Sequence, residues 1–185
     1  MDNHICDDYV QEVLKFRKAL NLTSISDAAL FNARFIVPSL SMAEWVPDEG
    51  RILDIGSGMG VPGIPLLLSK PGLVGVLVER RKKRAEFLRH IIRKLGLRAE
   101  VYDADINDLP SLGVDICVAR AVTKEDALLR MCMPHANHGA VAVLPVPYLH
   151  KPAELEEWSF SGEHNVVVDN AEGALQCIRC YQYVA

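Results

Sequence analysis

Hydrophobic residues recur with a helical period over the first part of the chain. In the segment 8–20 they fall on one stripe, at Val10, Val13, Leu14, Phe16 and Leu20, which predicts an amphipathic helix. Asp27 is a suitable N-cap for a second helix that extends to about Val46. Pro38 lies inside this second segment and is expected to kink or divide it, because proline lacks a backbone N–H. We therefore predict a helical extension over residues 1–48.

From Arg51 onward the pattern changes to short apolar runs that alternate with helical segments. The runs predict seven strands, near residues 51–56, 74–79, 99–105, 114–120, 139–146, 164–168 and 175–183. Helices are predicted over 64–70 and 124–133. A longer helix after the second strand is predicted to end at Leu95, because Gly96 is a typical stop signal, and a further helix after Pro152 is predicted to end at Trp158. Strands that alternate with helices form βαβ units. We predict one α/β domain over residues 49–185, with a doubly wound, mainly parallel, seven-stranded sheet of the Rossmann-like type.

The composition is that of a globular domain: of 185 residues, 50% are hydrophobic and 24% are charged. No apolar run approaches the roughly 18 residues that a membrane span needs. The first ten residues lack the basic and apolar regions of an export signal, so a cytoplasmic protein is expected. Five cysteines, an odd and scattered number, favour reduced thiols over a disulfide framework.

One short segment is strongly basic although the chain carries a net charge of −4. Between Glu79 and Arg98 there are nine Lys or Arg residues and only two acids. Such a patch suits contact with a phosphate backbone, whereas bulk attraction to nucleic acid is disfavoured by the net charge. The candidates for RNA contact are Arg80, Arg81, Lys82, Lys83 and Arg84. The alternative for this run is an ordinary solvated helix face.

The stretch RILDIGSGMGVPGIP at 51–65 is the most informative in the chain, and two cofactors compete for it. Residues Gly58 to Gly63 fit the GxGxxG pattern of a dinucleotide site, and Glu79 follows the next strand as that reading requires. Pro62 argues against it, because it removes a backbone donor where a pyrophosphate needs N–H groups. A tight turn without a ligand is the remaining alternative, although so many glycines are hard to explain by packing alone.

S-adenosylmethionine explains more of the acidic positions, since it carries an ammonium, a sulfonium, a ribose diol and an adenine, and no phosphate. Asp54 precedes the alternating glycines Gly56, Gly58 and Gly60 and suits the cationic part. Glu79, at the end of the second strand, suits the diol. Asp105, Ile106 and Asn107 follow the third strand, where polar groups can contact the adenine. We therefore favour the methyl donor over a nicotinamide dinucleotide.

The same stretch closely resembles the first motif of the RsmG (GidB) family, the bacterial 16S rRNA guanine-N7 methyltransferases. Three further stretches occur in the right order, and the resemblance covers about residues 15–145: Asn21-Leu22-Thr23, Lys82-Lys83-Arg84 through Leu88-Arg89, and Ala119-Arg120-Ala121. The resemblance implies the fold of class I methyltransferases, with small-subunit rRNA or the small ribosomal subunit as partner. It implies cofactor contacts for Gly56 and Val61, and adenine contacts for Ile106 and Asn107. It places Arg120 near the methyl-transfer centre, as the best candidate for a catalytic residue.

The chain departs from the family pattern on the side of the acceptor. Family members usually have a His and an Asp where Phe35 and Pro38 stand, and a Lys where Pro145 stands. Two other functions therefore stay open: the same cofactor with another RNA or a small molecule as acceptor, and a catalytically silent binding module. Guanine N7 carries a free lone pair, so the absence of an evident general base does not argue against methylation there.

Cys177 and Cys180 suggest zinc, but no second such pair supports a metal site and none is expected. On a strand, these two side chains would point to opposite faces of the sheet, as buried free thiols. No segment has the pattern of a dimer interface, so a monomer is expected.

Overall fold

The computed structural model describes residues 3–120, 123–147, 151–169 and 174–185. Its helices are α1 (Asp7–Phe16), α2 (Ala28–Phe31), α3 (Val37–Ser41), α4 (Gly63–Ser69), α5 (Lys82–Leu95) and α6 (Glu125–Cys132). Its strands are β1 (Glu49–Ile55), β2 (Gly72–Val78), β3 (Ala99–Tyr102), β4 (Val114–Ala119), β5 (Ala136–Pro147), β6 (Trp158–Asp169) and β7 (Ala174–Tyr183). Short 3₁₀ turns occur at Asn3–Cys6, Met42–Glu44 and Ile106–Asp108, and a π-helical turn occurs at Asn32–Ile36.

The strands form one seven-stranded sheet in the order β3-β2-β1-β4-β5-β7-β6. The first five are parallel to one another, and β7 pairs antiparallel with both β5 and β6. The prediction of a doubly wound, mainly parallel sheet is therefore confirmed. The chain order reverses between β1 and β4, and in open α/β sheets ligands bind at such a switch point, outside the carboxyl ends of the strands.

Alternating residues of the central strands supply two cores, one on each face of the sheet. Ile52 and Ile116 belong to the core that also contains residues of α1, α3, α4 and α5. Leu53 and Cys117 belong to the core that contains Leu128 and Leu129 of α6. The predicted helical extension thus packs on the same face as α4 and α5, and it brings its own residues to the carboxyl edge of the sheet.

The second predicted helix forms a continuous helical run, and Pro38 interrupts its regularity as expected. The Asp27 side chain caps it by accepting the N–H of Leu30 at 2.7 Å. The π-helical turn at 32–36 ends two residues before Pro38, the residue that cannot donate a helical hydrogen bond. The first helix is shorter than predicted, because the chain leaves it at Phe16 and turns to a left-handed residue, Asn21, at φ 51°.

The region before β6 contradicts the sequence-based expectation. No helix leads to Trp158; residues 151–157 are a non-helical connection, and β6 runs over 158–169 instead of 164–168. The alternation of the strand is broken by a bulge at Gly162, where the register shifts. A Cβ on Gly162 would come within 2.7 Å of the Trp45 ring, so only glycine allows this close approach.

Candidate cofactor site

A cavity of about 550 Å³ lies at the carboxyl ends of β1, β2 and β4, and we call it cavity A. This volume is in the range of sites for one small molecule. Of the residues predicted for the cofactor, the ones that line cavity A are Gly56, Gly58, Val61, Glu79, Asp105, Ile106, Asn107 and Arg120. The structure thus brings together residues that lie up to 64 positions apart in the sequence.

The carboxylate of Glu79 is held in the wall of cavity A by two backbone hydrogen bonds. Its Oε2 accepts the N–H of Gly58 at 3.0 Å, and its Oε1 accepts the N–H of Arg81 at 2.8 Å. The side chain is only 6% exposed. Each oxygen of a carboxylate has a second lone pair, so Glu79 can still accept hydroxyl donors from a ligand.

Two glycines of the loop between β1 and α4 have backbone conformations that other residues rarely adopt. Gly58 adopts φ +61°, where a side chain is strained even though a Cβ would make only ordinary contacts with Glu79 and the Arg84 guanidinium, at 3.9 and 3.8 Å. Gly60 adopts φ +106°, and its Cβ would lie 2.6 Å from Ile64. Gly60 therefore does not line cavity A; its absent side chain lets the loop pack on α4.

Asp54 lies behind the loop instead of in the cavity wall. Its side chain is fully buried, and Oδ2 accepts the N–H of Gly63 at 3.1 Å, at the start of α4. Burial raises the pKa of Asp54 to about 7, and the other oxygen, Oδ1, has no partner within the described residues. The geometry gives Asp54 the role of holding the loop on α4, while direct contact with the cationic part of a cofactor stays a prediction.

The backbone donors of the loop are largely used within the protein. The N–H groups that donate to other protein atoms are those of Ser57, Gly58, Gly60, Gly63 and Ile64. A pyrophosphate site needs several such groups free and pointing at the ligand. The loop therefore fits a ligand without phosphates better than a dinucleotide.

The turn after β3 forms the far wall of cavity A. Asp105 lies beyond the last residue of the strand, Tyr102, and its Oδ1 accepts both the backbone and the side-chain N–H of Asn107, at 3.0 and 2.8 Å. These hydrogen bonds lower the pKa of Asp105 from its ordinary value. Ile106 is 5% exposed and gives this wall an apolar surface, which suits a flat heterocycle.

Arg120, directly after β4, is held by the helical extension. Its Nη2 donates to the Arg34 carbonyl at 2.7 Å, and its guanidinium lies 4.7 Å from the centre of the Phe35 ring. Burial lowers the pKa of Arg120 to about 10. Phe35, which replaces the usual His of the family, thus serves as a platform for this arginine. Ala121, the last residue of the resemblance stretch at 119–121, lies outside the described residues.

The predicted RNA-contact residues divide into two groups. Arg80, Arg81 and Arg84 line the rim of cavity A, whereas Lys82 and Lys83 are exposed on the first turn of α5, outside its lining. The Arg84 side chain donates to the carbonyl of Asn21 and so links α5 to the 21–23 stretch. Positive charges at the N-terminus of a helix interact unfavourably with the helix dipole, so Lys82 and Lys83 do not stabilise the first turn of α5.

Several residues that support the site could not be predicted from the sequence. The Tyr9 hydroxyl, on α1, donates to the carbonyl of Met59 at 2.9 Å and supports the glycine loop from behind. Leu22 and Met131 add apolar surface to cavity A. A Tyr on an amphipathic helix is typical of any core, and only the three-dimensional contact distinguishes Tyr9.

The chain was compared with known protein families and with curated proteins. The family model for rRNA small subunit methyltransferase G, GidB, matches residues 2–167. This chain belongs to that family. Ribosomal RNA small subunit methyltransferase G of Xylella fastidiosa (strain M23) is 31% identical over 176 residues, covering 86% of this chain and 82% of the relative. The enzyme of the same name from Mycolicibacterium smegmatis is 35% identical over 129 residues, with 67% and 54% covered.

Solved structures that share the fold include a putative methyltransferase and a protein in complex with AdoMet. A putative methyltransferase, yhhF, from Escherichia coli has a TM-score of 0.63 at 14% identity, with 80% of this chain and 86% of that chain covered. TYW2 of M. jannaschii, solved in complex with AdoMet, has a TM-score of 0.63 at 15% identity, with 81% and 74% covered. At these identities the likeness concerns the fold, which is that of the class I methyltransferases, as the family resemblance implied.

The cysteines are all buried and free. Cys177 and Cys180 contribute to different cores on opposite faces of the sheet, as the strand period predicted. Across the described ranges, no group of three or more His, Cys, Asp or Glu residues is placed to hold a metal ion. Nor does the described part of the chain contain a helix with the length and apolarity of a membrane span.

Proposed function

We propose that this chain is an S-adenosylmethionine-dependent methyltransferase that acts on N7 of a guanine in small-subunit rRNA. The observation that carries the proposal is the Glu79 carboxylate, fixed over a glycine loop whose own N–H groups are mostly engaged. Family membership and the names of the relatives support the rRNA substrate.

The residues of cavity A fit this cofactor in their donor and acceptor types. Glu79 would accept the hydroxyls of the ribose, and the Asp105–Asn107 turn with Ile106 would hold the adenine. Gly56 and Gly58 line cavity A without side chains, so the chain of the ligand can approach the backbone of the loop there. When bound, S-adenosylmethionine supplies a methyl group on a positively charged sulfur.

The protein's own task in such a transfer is alignment and the exclusion of water. N7 of neutral guanine attacks with a free lone pair, so no side chain has to remove a proton. Arg120, fixed between Arg34 and Phe35, is the polar group at the open end of cavity A, and we propose that it orients the acceptor. The substrate implies that the protein works in the cytoplasm, and we expect it to act as a monomer.

The first turn of α5 is the proposed contact with the rRNA backbone. Lys82 and Lys83 are exposed there, and Arg93, in the last turn of α5, and Arg98, after the helix, are exposed as well. Charge reversal of Lys82 and Lys83 should weaken RNA binding and reduce its salt dependence, because each lost phosphate contact lowers the salt slope by about one. The same change at Arg93 and Arg98 is the matched control. Equal effects of the two pairs would indicate general attraction without a defined contact.

A second acceptor class is favoured by one observation. Phe35, Pro38 and Pro145 replace three polar residues that the family usually carries toward the acceptor, and Phe35 lines cavity A. The alternative keeps the cofactor and replaces the rRNA by another RNA or a small molecule.

Transfer of a labelled methyl group tests the proposal. Small ribosomal subunits from a strain that lacks this protein are incubated with the protein and labelled S-adenosylmethionine, alongside large subunits, tRNA and free small-subunit rRNA. Label recovered as 7-methylguanosine from the small subunit alone is the expected result. Label in another RNA would favour the second acceptor class, and no label in any RNA with intact cofactor binding would refute rRNA methylation.

A further inference from the structure

A second cavity, of about 820 Å³, lies next to cavity A, and we call it cavity B. The two cavities share Arg120 and Thr123, so cavity B begins where cavity A opens beyond β4. Its walls are formed by the start of α6, by the end of β5 and by the start of β7. The apolar part consists of Leu128, Pro145, Val146 and Ala153. A shared arginine and an apolar surface suit an acceptor base that lies beside a methyl donor.

Glu125 is the most strongly held polar group of cavity B. From the protein side, the Tyr181 hydroxyl donates to its Oε1 at 2.6 Å and Arg179 Nη1 donates to its Oε2 at 2.9 Å. Tyr181 is fully buried and Arg179 is 2% exposed, so both donors approach from the core. The Glu125 side chain is 12% exposed and lines the cavity. Its carboxylate is therefore fixed in position, with lone pairs left for a ligand.

A second acceptor atom lines the same cavity. The Oε1 atom of Gln176, on β7, is buried and has no hydrogen-bond partner among the described residues. Buried polar atoms are nearly always paired, so an unpartnered acceptor at a cavity wall calls for a donor from outside the protein. Glu125 is thus the acceptor that cavity B offers to a group with N–H donors, with the Gln176 amide behind the wall, and the other charged residues of the lining are Arg120, Lys124, Asp126 and Lys151.

We propose that cavity B receives the acceptor guanine and that Glu125 reads its Watson–Crick edge; this inference rests on the proposed function. Guanine presents two neighbouring donors on that edge, N1–H and the N2 amino group, which match a carboxylate. Adenine presents an acceptor, N1, at the corresponding place, and a carboxylate repels it. Nucleic-acid enzymes commonly read an extruded base in this way. N7 lies on the opposite edge of the purine and stays free to react.

The ion pairs of Arg179 fix the position of the Glu125 carboxylate. Arg179 lies between two carboxylates, with Glu163 accepting its Nε–H at 2.7 Å on the side away from Glu125. Methyl transfer forms the N7–carbon bond as the methyl–sulfur bond breaks, and the positive charge passes from the sulfonium to the purine.

Mononucleotides test the reading of the base without any variant. With S-adenosylhomocysteine saturating, binding of GMP, IMP and AMP to the native protein is measured by calorimetry or ligand-observed NMR. IMP lacks the N2 amino group, so we expect it to bind about tenfold more weakly than GMP, the effect of one charge-assisted hydrogen bond. AMP should bind at least as weakly. Equal binding of GMP and IMP, or a preference for AMP, would overturn the proposal.

The variant Glu125→Gln then tests whether Glu125 is the residue that distinguishes GMP from IMP, and Glu163→Gln is the matched control. Both variants remove a carboxylate from Arg179, but Glu163 does not line cavity B. Glu125→Gln should bring the GMP-to-IMP ratio close to one, whereas Glu163→Gln should keep it. Equal ratios in the two variants would show that the network is only structural. Thermal unfolding and S-adenosylhomocysteine binding verify that each variant is folded.

The outcome is separable from that of the proposed function. If the native protein labels small-subunit rRNA but does not distinguish GMP from IMP, methylation stands and the role of Glu125 fails. If GMP is preferred through Glu125 but no RNA is labelled, the guanine site stands and the rRNA reaction fails.

Discussion

Replacing Glu79 by glutamine tests the cofactor site at its best-held group. The glutamate accepts the N–H groups of Gly58 and Arg81 with its two oxygens, at 3.0 and 2.8 Å. Glutamine keeps one oxygen and places an NH₂ group against the other N–H, so one accepted bond is lost. A hydrogen bond to a charged group contributes about 1.5–3 kcal/mol. We expect the free energy of unfolding of the ligand-free protein to fall by about 2 kcal/mol.

The same change should weaken binding of the cofactor, because the amide accepts the ribose hydroxyls with a single, uncharged oxygen. We expect at least a tenfold loss of affinity for S-adenosylhomocysteine, measured by calorimetry. Glu86→Gln is the control: Glu86 is exposed on α5 and pairs with Arg89 at 2.7 Å, an exposed pair of the kind that contributes about 0.3–0.5 kcal/mol. If the folded Glu79→Gln protein binds within twofold of the native protein, the assignment of the diol to Glu79 is refuted.

Three further predictions follow from other parts of the site and its support. Gly63→Ala puts a Cβ 2.6 Å from the buried Asp54 oxygen and should lower the free energy of unfolding in urea by about 1–3 kcal/mol; an unchanged midpoint would contradict this. Arg120→Ala should reduce methyl transfer at least tenfold with S-adenosylhomocysteine affinity nearly unchanged, and full turnover would argue against an orienting role. The hydrogen bond from Lys94 is the main reason that the pKa of Glu12 is lowered, to about 2. The native protein should therefore be more stable than Glu12→Gln above pH 4.5, and this difference should disappear as the pH falls toward 2. A difference in thermal unfolding between the two proteins that does not change with pH would exclude this origin.

The parallel half of the fold follows from local sequence signals. The α5 helix ends as predicted because Gly96 adopts the left-handed conformation, at φ +64°, after its last residue. The buried strands β1, β2 and β4 show as apolar runs because both of their faces are covered. The edge strand β6 could not be found in full, since the bulge at Gly162 interrupts its alternation and the fit of Trp45 over that glycine is a contact across 117 positions.

The site shows the same division between local and distant information. The spacing of the glycines identifies the loop. The position of Glu79 directly after β2 identifies it as a site residue, because parallel strands end at one edge of the sheet. The pattern could not tell that Asp54 faces away from cavity A, since a strand end fixes a residue's position but not the path of the loop beyond it. The contact of Phe35 with Arg120 and the support of Met59 by Tyr9 join distant segments and have no local signature.

A crystal structure of this protein with S-adenosylhomocysteine would show directly whether cavity A holds the cofactor. We expect the ligand in cavity A, with both ribose hydroxyls within hydrogen-bond distance of the Glu79 carboxylate and the adenine against Ile106. A ligand bound elsewhere, or a folded protein that stays free of ligand at saturating concentration, would contradict it.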